Sequence, residues 1–247
     1  MQTIDFFDFE RSVALEGGYL VTVNLQHLYE CSRNEALRQV FFADPRVRLC
    51  LDGRGAHILF QRLLGATLPL AAGNEVLAAH LAAGKCRRVL VIGTNETVLA
   101  EIAKRYPALT IVQDSRRFPA LDDHSASEAA AEIIAKVGSD FDTIAVALGV
   151  PKQEVLAQAL SARLPHLPIL CVGGSFEMIA GHLTRAPRFL QRLGLEGVWR
   201  LIRQPSRARL QRAFLSYWNF VRFYLDSRDL EKVVGFSAHV RPLKTRP

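Results

Sequence analysis

The sequence has no apolar run long enough to cross a bilayer. Its longest, such as VLVIG at 89–93 and PILCVGG at 168–174, fall far short of the roughly 20 residues that a span requires, so a transmembrane helix is excluded. Cysteine is sparse. Cys31, Cys50, Cys86 and Cys171 lack the paired spacing of a zinc site, and two of them lie inside apolar runs, so they read as buried thiols. The opening MQTIDFFDFERS carries acids where a secretory signal would carry positive charge and then an apolar core, and the expectation is a cytoplasmic protein. The fingerprint GxGxxG is missing, because the IGTNE turn at 92–96 has one glycine where that motif has three, and no GxxxxGK[ST] loop occurs. This argues against a dinucleotide-dependent dehydrogenase and a P-loop triphosphatase. The histidines are dispersed, and His57, His80 and His182 read as surface or hydrogen-bonded buried residues, so no metal constellation emerges. Acids nearly vanish late in the chain: from Arg185 to Arg222 nine arginines face one acid, Glu196, within a net charge of +7.

What is present is a core-forming α/β pattern. With 247 residues, 49% of them hydrophobic, the chain can bury a full core. Aliphatic and β-branched runs at 19–24, 46–52, 87–93, 109–113, 142–149 and 167–174 read as strands. Segments of helical periodicity at 26–41, 55–65, 74–83, 95–106, 125–137 and 152–163 alternate with them, several opening at Asn, Thr or Ser. Such alternation predicts a Rossmann-like, mostly parallel sheet covered by helices on both faces. After Gly181 the strand pattern stops, and arginine interleaves with Phe214, Tyr217, Trp218, Phe220 and Phe223. This reads as helices broken near Gly194 and Pro205. The expected division is an α/β domain over 1–182, a basic helical appendage over 183–236 and a frayed tail over 237–247.

Polar residues and glycines gather just after the strands, at Asn24, Asp52-Gly53, Gly93-Thr94-Asn95, Gly149 to Glu154 and Gly173-Gly174. In open α/β sheets the ligand crevice lies outside the carboxyl ends of the strands, which makes that edge the expected site. Asp52 follows an apolar strand, and its carboxylate at the rim could accept a proton from an attacking hydroxyl. A turn or capping role is the bland alternative. In LGVPKQE (148–154) the helix-opening amides and Lys152 would suit a diphosphate, while Gln153 can meet sugar hydroxyls or a base. Glu154 could simply favour the helix N-terminus. Gly93, Gly149 and Gly174 allow a ligand close to the backbone, and tight packing would use them equally well.

Taken in order, TVN at 22–24, Asp52-Gly53, LGVPKQE, VGGSFEMIAG at 172–181, RAP at 185–187 and GLEGVWRL at 194–201 followed by QPSRARLQR resemble the WecG/TagA/CpsF family of bacterial glycosyltransferases. The resemblance runs from about Leu20 to about Arg212. It implies an inverting transferase, free of metal or other cofactor, that moves a sugar from a UDP donor to a polyprenyl-diphosphate-linked sugar. It implies Asp52 as base, Thr22 and Asn24 in the same pocket, Gln153 on the substrate, and Arg185, Arg200 and Arg207 as substrate-binding arginines, with Arg200 and Arg207 brought over the site by the appendage. It also implies peripheral docking on the inner face of the cell membrane and oligomerisation through the sheet domain. The chain departs from the family at Leu70, usually an arginine, at Glu75, usually an aspartate, and at Gly197, usually a tryptophan. A nucleotide-sugar or lipid-diphosphate binding protein without turnover is therefore the alternative. Nucleic-acid binding is disfavoured, because the basic residues are paired with large apolar ones and no recognised motif is present. For the same stripe the choices are an anionic membrane surface or an internal core with a solvated basic face.

Overall fold

A computed structural model of the chain describes residues 5–84, 86–118, 120–184, 186, 187, 189, 190, 196–203, 205 and 207–235, of which 196, 197, 200, 208, 209 and 212 are described by backbone alone. The six expected strands form one sheet. They are β1 (Gly18–Val23), β2 (Val47–Leu51), β3 (Arg88–Gly93), β4 (Thr110–Asp114), β5 (Thr143–Ala147) and β6 (Pro168–Cys171), all parallel in the order β2-β1-β6-β5-β3-β4. All six residues of β1 are buried, as expected for a parallel sheet shielded on both faces.

Strand side chains alternate between faces and define two apolar layers. Tyr19, Val21, Val23, Leu51, Ile92, Val146 and Ile169 face one layer, where α2 (Leu25–Arg33), α3 (Arg54–Leu64), α6 (Asp123–Val137) and α7 (Lys152–Arg163) contribute Leu28, Phe60, Ile133 and Leu156. Leu20, Cys50, Val91, Ala145 and Leu170 face the other. Here α4 (Gly73–Ala82), α5 (Glu96–Arg105) and α8 (Ser175–Ile179) supply Leu77, Ile102 and Phe176, beside the short α1 (Phe9–Val13). The helix after β1 thus covers one face and the helix after β6 the other, although these strands are neighbours. Their connections part at the carboxyl edge and open a crevice there.

The expected helix at 26–41 is two elements. Asn34 turns to an extended conformation and its side-chain oxygen accepts from the Ala36 amide at 3.1 Å, a local bond that competes with helix continuation. A π-helical turn follows at Gln39–Ala43, pinned by the Tyr19 hydroxyl donating to the Val40 carbonyl at 2.7 Å. Two short helices were not foreseen, α1 and α8, whereas the final α11 (Ser227–Val234) falls within the helical segment expected over 183–236. Between α9 (Glu196–Arg203) and α10 (Arg207–Leu225) the chain breaks at Pro205, as expected. Gly194 and the segment after Ser237 lie outside the described residues. Phe223 of α10 and Leu230, Val233 and Val234 of α11 join the same apolar layer as α2 and α3, so this late segment is continuous with the core.

Gly18 opens β1 with φ of +75°, and a Cβ there would stand 2.3 Å from the Arg46 carbonyl oxygen. Gly18→Ala is expected to destabilise the fold by about 2–3 kcal/mol, read as a lower urea midpoint at unchanged slope.

Candidate active site

The strands end earlier than their apolar runs suggest. β5 stops at Ala147 and β6 at Cys171, leaving Leu148, Gly149, Val172, Gly173 and Gly174 to bend away as loop. Gly173 has φ of +49°, which glycine adopts readily. These five residues line a cavity of about 450 Å³ at the carboxyl edge, together with Thr22, Asn24, Asp52, Gly53 and Gln153. Of the expected site residues, Thr22, Asn24, Asp52, Gly53, Gly149, Gln153 and Gly174 therefore meet around one space.

Asp52 is half-buried, and its amide donates to the Val23 carbonyl at 2.9 Å, carrying the β1–β2 ladder one residue past β2. Gly53 follows with φ of +84° and open space where a side chain would sit. Asn24 caps α2 by accepting from the Gln26 amide at 2.9 Å. Among the described residues its Nδ2 makes only a 3.5 Å contact to the Thr22 carbonyl, so this side-chain amide is suited to meet a ligand.

Behind the wall lies a chain of buried hydrogen bonds. The Asn24 amide donates to His27 Nδ1 at 3.2 Å, which places the proton of the neutral ring on Nε2, 2.9 Å from Glu154 Oε1. Gln153 Nε2 donates to that same oxygen at 2.6 Å, and the Gly173 amide donates to Gln153 Oε1 at 2.9 Å. The His27 and Glu154 side chains have no exposed surface. Loops of β1, β5 and β6 are thereby fastened to one another. Glu154 Oε2 has no hydrogen-bond partner among the described residues, at a cost of about 1–3 kcal/mol.

Several expected residues stand elsewhere. Glu154 does not line the cavity; it is fully buried against His27. Gly93 and Lys152 line a neighbouring crevice of about 700 Å³ with Thr94, Arg116 and Arg117, separated from the Asp52 cavity by Leu148, which borders both. Lys152 Nζ donates to the Phe118 carbonyl at 2.6 Å. Arg207 is exposed and is not on the cavity wall. Arg185 and the Arg200 side chain lie outside the described residues. Leu70 is 49% exposed beside the end of β2 and is also off the wall. His57 and His80 are buried with hydrogen-bond partners, and burial pushes the Cys31 thiol up to about 12 and raises those of Cys50, Cys86 and Cys171 as well.

Sequence reasoning missed Arg54 and Asn74 on the wall and His27 behind it. His27 carried a signal, since it stands three residues after the N-cap Asn24, the spacing of a capping box. It also missed that α10 supplies Ala213 and Ser216 to the wall and presents Tyr217 there, with Ser216 Oγ 3.5 Å from Gln26 Oε1.

A parallel α/β sheet with a carboxylate-bearing cavity at its carboxyl edge defines a class of ligand-transforming or ligand-binding proteins rather than one activity. The family comparison narrows it. A model of the glycosyl transferase WecG/TagA/CpsF family matches residues 5–231, and the chain belongs to that family.

His27→Leu leaves the Glu154 carboxyl buried without its ring partner and is expected to cost about 3–5 kcal/mol. Adding Glu154→Leu should recover part of that loss in thermal or urea unfolding, whereas strictly additive losses would deny the coupling.

Proposed function

We propose that this family member is an inverting glycosyltransferase that moves N-acetylmannosamine, its uronic acid or glucose from a UDP donor to a polyprenyl-diphosphate-linked sugar, in surface or exopolysaccharide synthesis. Asp52 acts as the base. It takes the proton of the acceptor hydroxyl as that oxygen bonds to the anomeric carbon, and the bond from that carbon to the UDP oxygen breaks on the opposite face. The departing diphosphate carries away the electron pair, and arginine side chains and helix amides, rather than a metal, neutralise it. The observation that carries this reading is the half-buried Asp52 carboxylate on the wall of a sugar-sized cavity, in a chain of glycosyltransferase lineage.

Work at the inner face of the cell membrane is part of the same proposal. No helix among the described residues is long and apolar enough to cross a membrane. Instead α10 exposes Leu210, Phe214, Trp218, Val221 and Leu225 at spacings of three and four, one continuous stripe, and α9 exposes Ile202 nearby. Exposed aromatics next to an arginine-rich sequence suit an anionic lipid surface better than water.

Asp52→Asn should lower the transfer rate by roughly 10²–10⁴-fold while the thermal midpoint is retained; full activity would remove Asp52 from the mechanism. UDP-sugar binding without product, in the wild-type chain supplied with acceptor, would favour the non-catalytic binding protein. For docking, the double substitution Phe214→Ser with Trp218→Ser should weaken partition onto anionic vesicles by about tenfold or more. Sedimentation with vesicles measures this, and unchanged partition would count against the stripe.

A further inference from the structure

Two charged side chains line the Asp52 cavity among the described residues: Asp52 itself and Arg54, which is exposed and opens α3. Arg54 forms no ion pair with a described residue. Among the described residues, its side-chain hydrogen bond is to a buried histidine. His57 Nε2 donates to the Leu68 carbonyl at 2.9 Å, which leaves Nδ1 as an acceptor, and Arg54 Nη1 donates to it at 3.4 Å. One end of the guanidinium is thus steadied, while Nη2 and Nε have no acceptor among the described residues and can meet a stronger one. Gly53 stands between the two in sequence, and among the described residues no atom beyond its two chain neighbours comes within 4 Å of where its side chain would be, so the backbone here is open to a ligand. The first turn of α3 has no side-chain cap, and its amides add to the positive field on that side.

We propose that Arg54, positioned by His57, is a substrate-binding residue that contacts the diphosphate of a ligand held beside Asp52. This rests on the transferase reading, which supplies two diphosphates: that of the nucleotide donor and that of the lipid-linked acceptor. A guanidinium matches either with paired, charge-assisted hydrogen bonds.

The test is calorimetric titration of the full chain with UDP, with farnesyl diphosphate and with uridine, in wild type, Arg54→Gln and Arg54→Lys. The expected result is a roughly ten- to hundredfold loss of affinity for one diphosphate ligand in Arg54→Gln, partial recovery in Arg54→Lys, and unchanged uridine binding. Loss confined to UDP assigns the contact to the donor, and loss confined to farnesyl diphosphate assigns it to the acceptor. Equal affinities in wild type and Arg54→Gln for both ligands overturn the proposal and leave the transferase reading intact, as does an equal weakening for uridine, which would mark general distortion. A wild-type chain that binds neither diphosphate overturns both. His57→Gln should reproduce a smaller share of the loss, because it removes the support and keeps the guanidinium.

Discussion

A buried histidine–carboxyl contact holds the carboxyl edge of this protein in one shape. His27 and Glu154 meet at 2.9 Å without any exposed surface, and through Asn24, Gln153 and Gly173 they reach three walls of the cavity. Parallel strands leave their loops free to diverge, and the helices after β1 and β6 depart to opposite faces. Hydrogen bonds between the loops must therefore supply the rigidity that the ladder no longer gives. Glu154 Oε2 has no partner among the described residues, so this contact is not arranged for greatest local stability. Buried polar groups of this kind trade energy for one defined arrangement, and positioning a reactive carboxylate is a use that would justify the trade.

The fold was legible because periodicity records burial. Six apolar runs at strand length and six helical segments led directly to a doubly covered parallel sheet, since each signal depends on a face shared by many residues. It was less legible where one local bond decides, as at Asn34, whose side chain ends a helix that the apolar pattern would have continued. Run length overstated β5 and β6 for a related reason. Leu148 and Val172 are apolar enough to extend a strand, yet they lie past the strand ends and border the cavity.

The site was legible in part. Residues at the first turn after a strand, such as Asn24, Asp52 and Gly174, are placed by topology alone, so position in the sequence predicts position in space. Gln153 and Glu154 adjoin in sequence, but only the first reaches the cavity, because successive residues of a helix point about 100° apart. Gly93, at the end of β3, and Lys152, at the start of α7, lie beyond Leu148 and line a separate crevice, a distinction set by strand order rather than by any motif. Arg54 stands two residues after Asp52, and its relevance emerges only once Lys152 and Arg207 are seen to lie off the wall.

The 19-residue α10 carries two unlike stripes. Ala213, Ser216 and Tyr217 close one side of the cavity, while Leu210, Phe214 and Trp218 look outward. A helix behaves as a stiff rod over this length, so it cannot shift one stripe and leave the other in place. Any contact that displaces the outer residues therefore displaces the cleft wall as well, and the two stripes form one mechanical element.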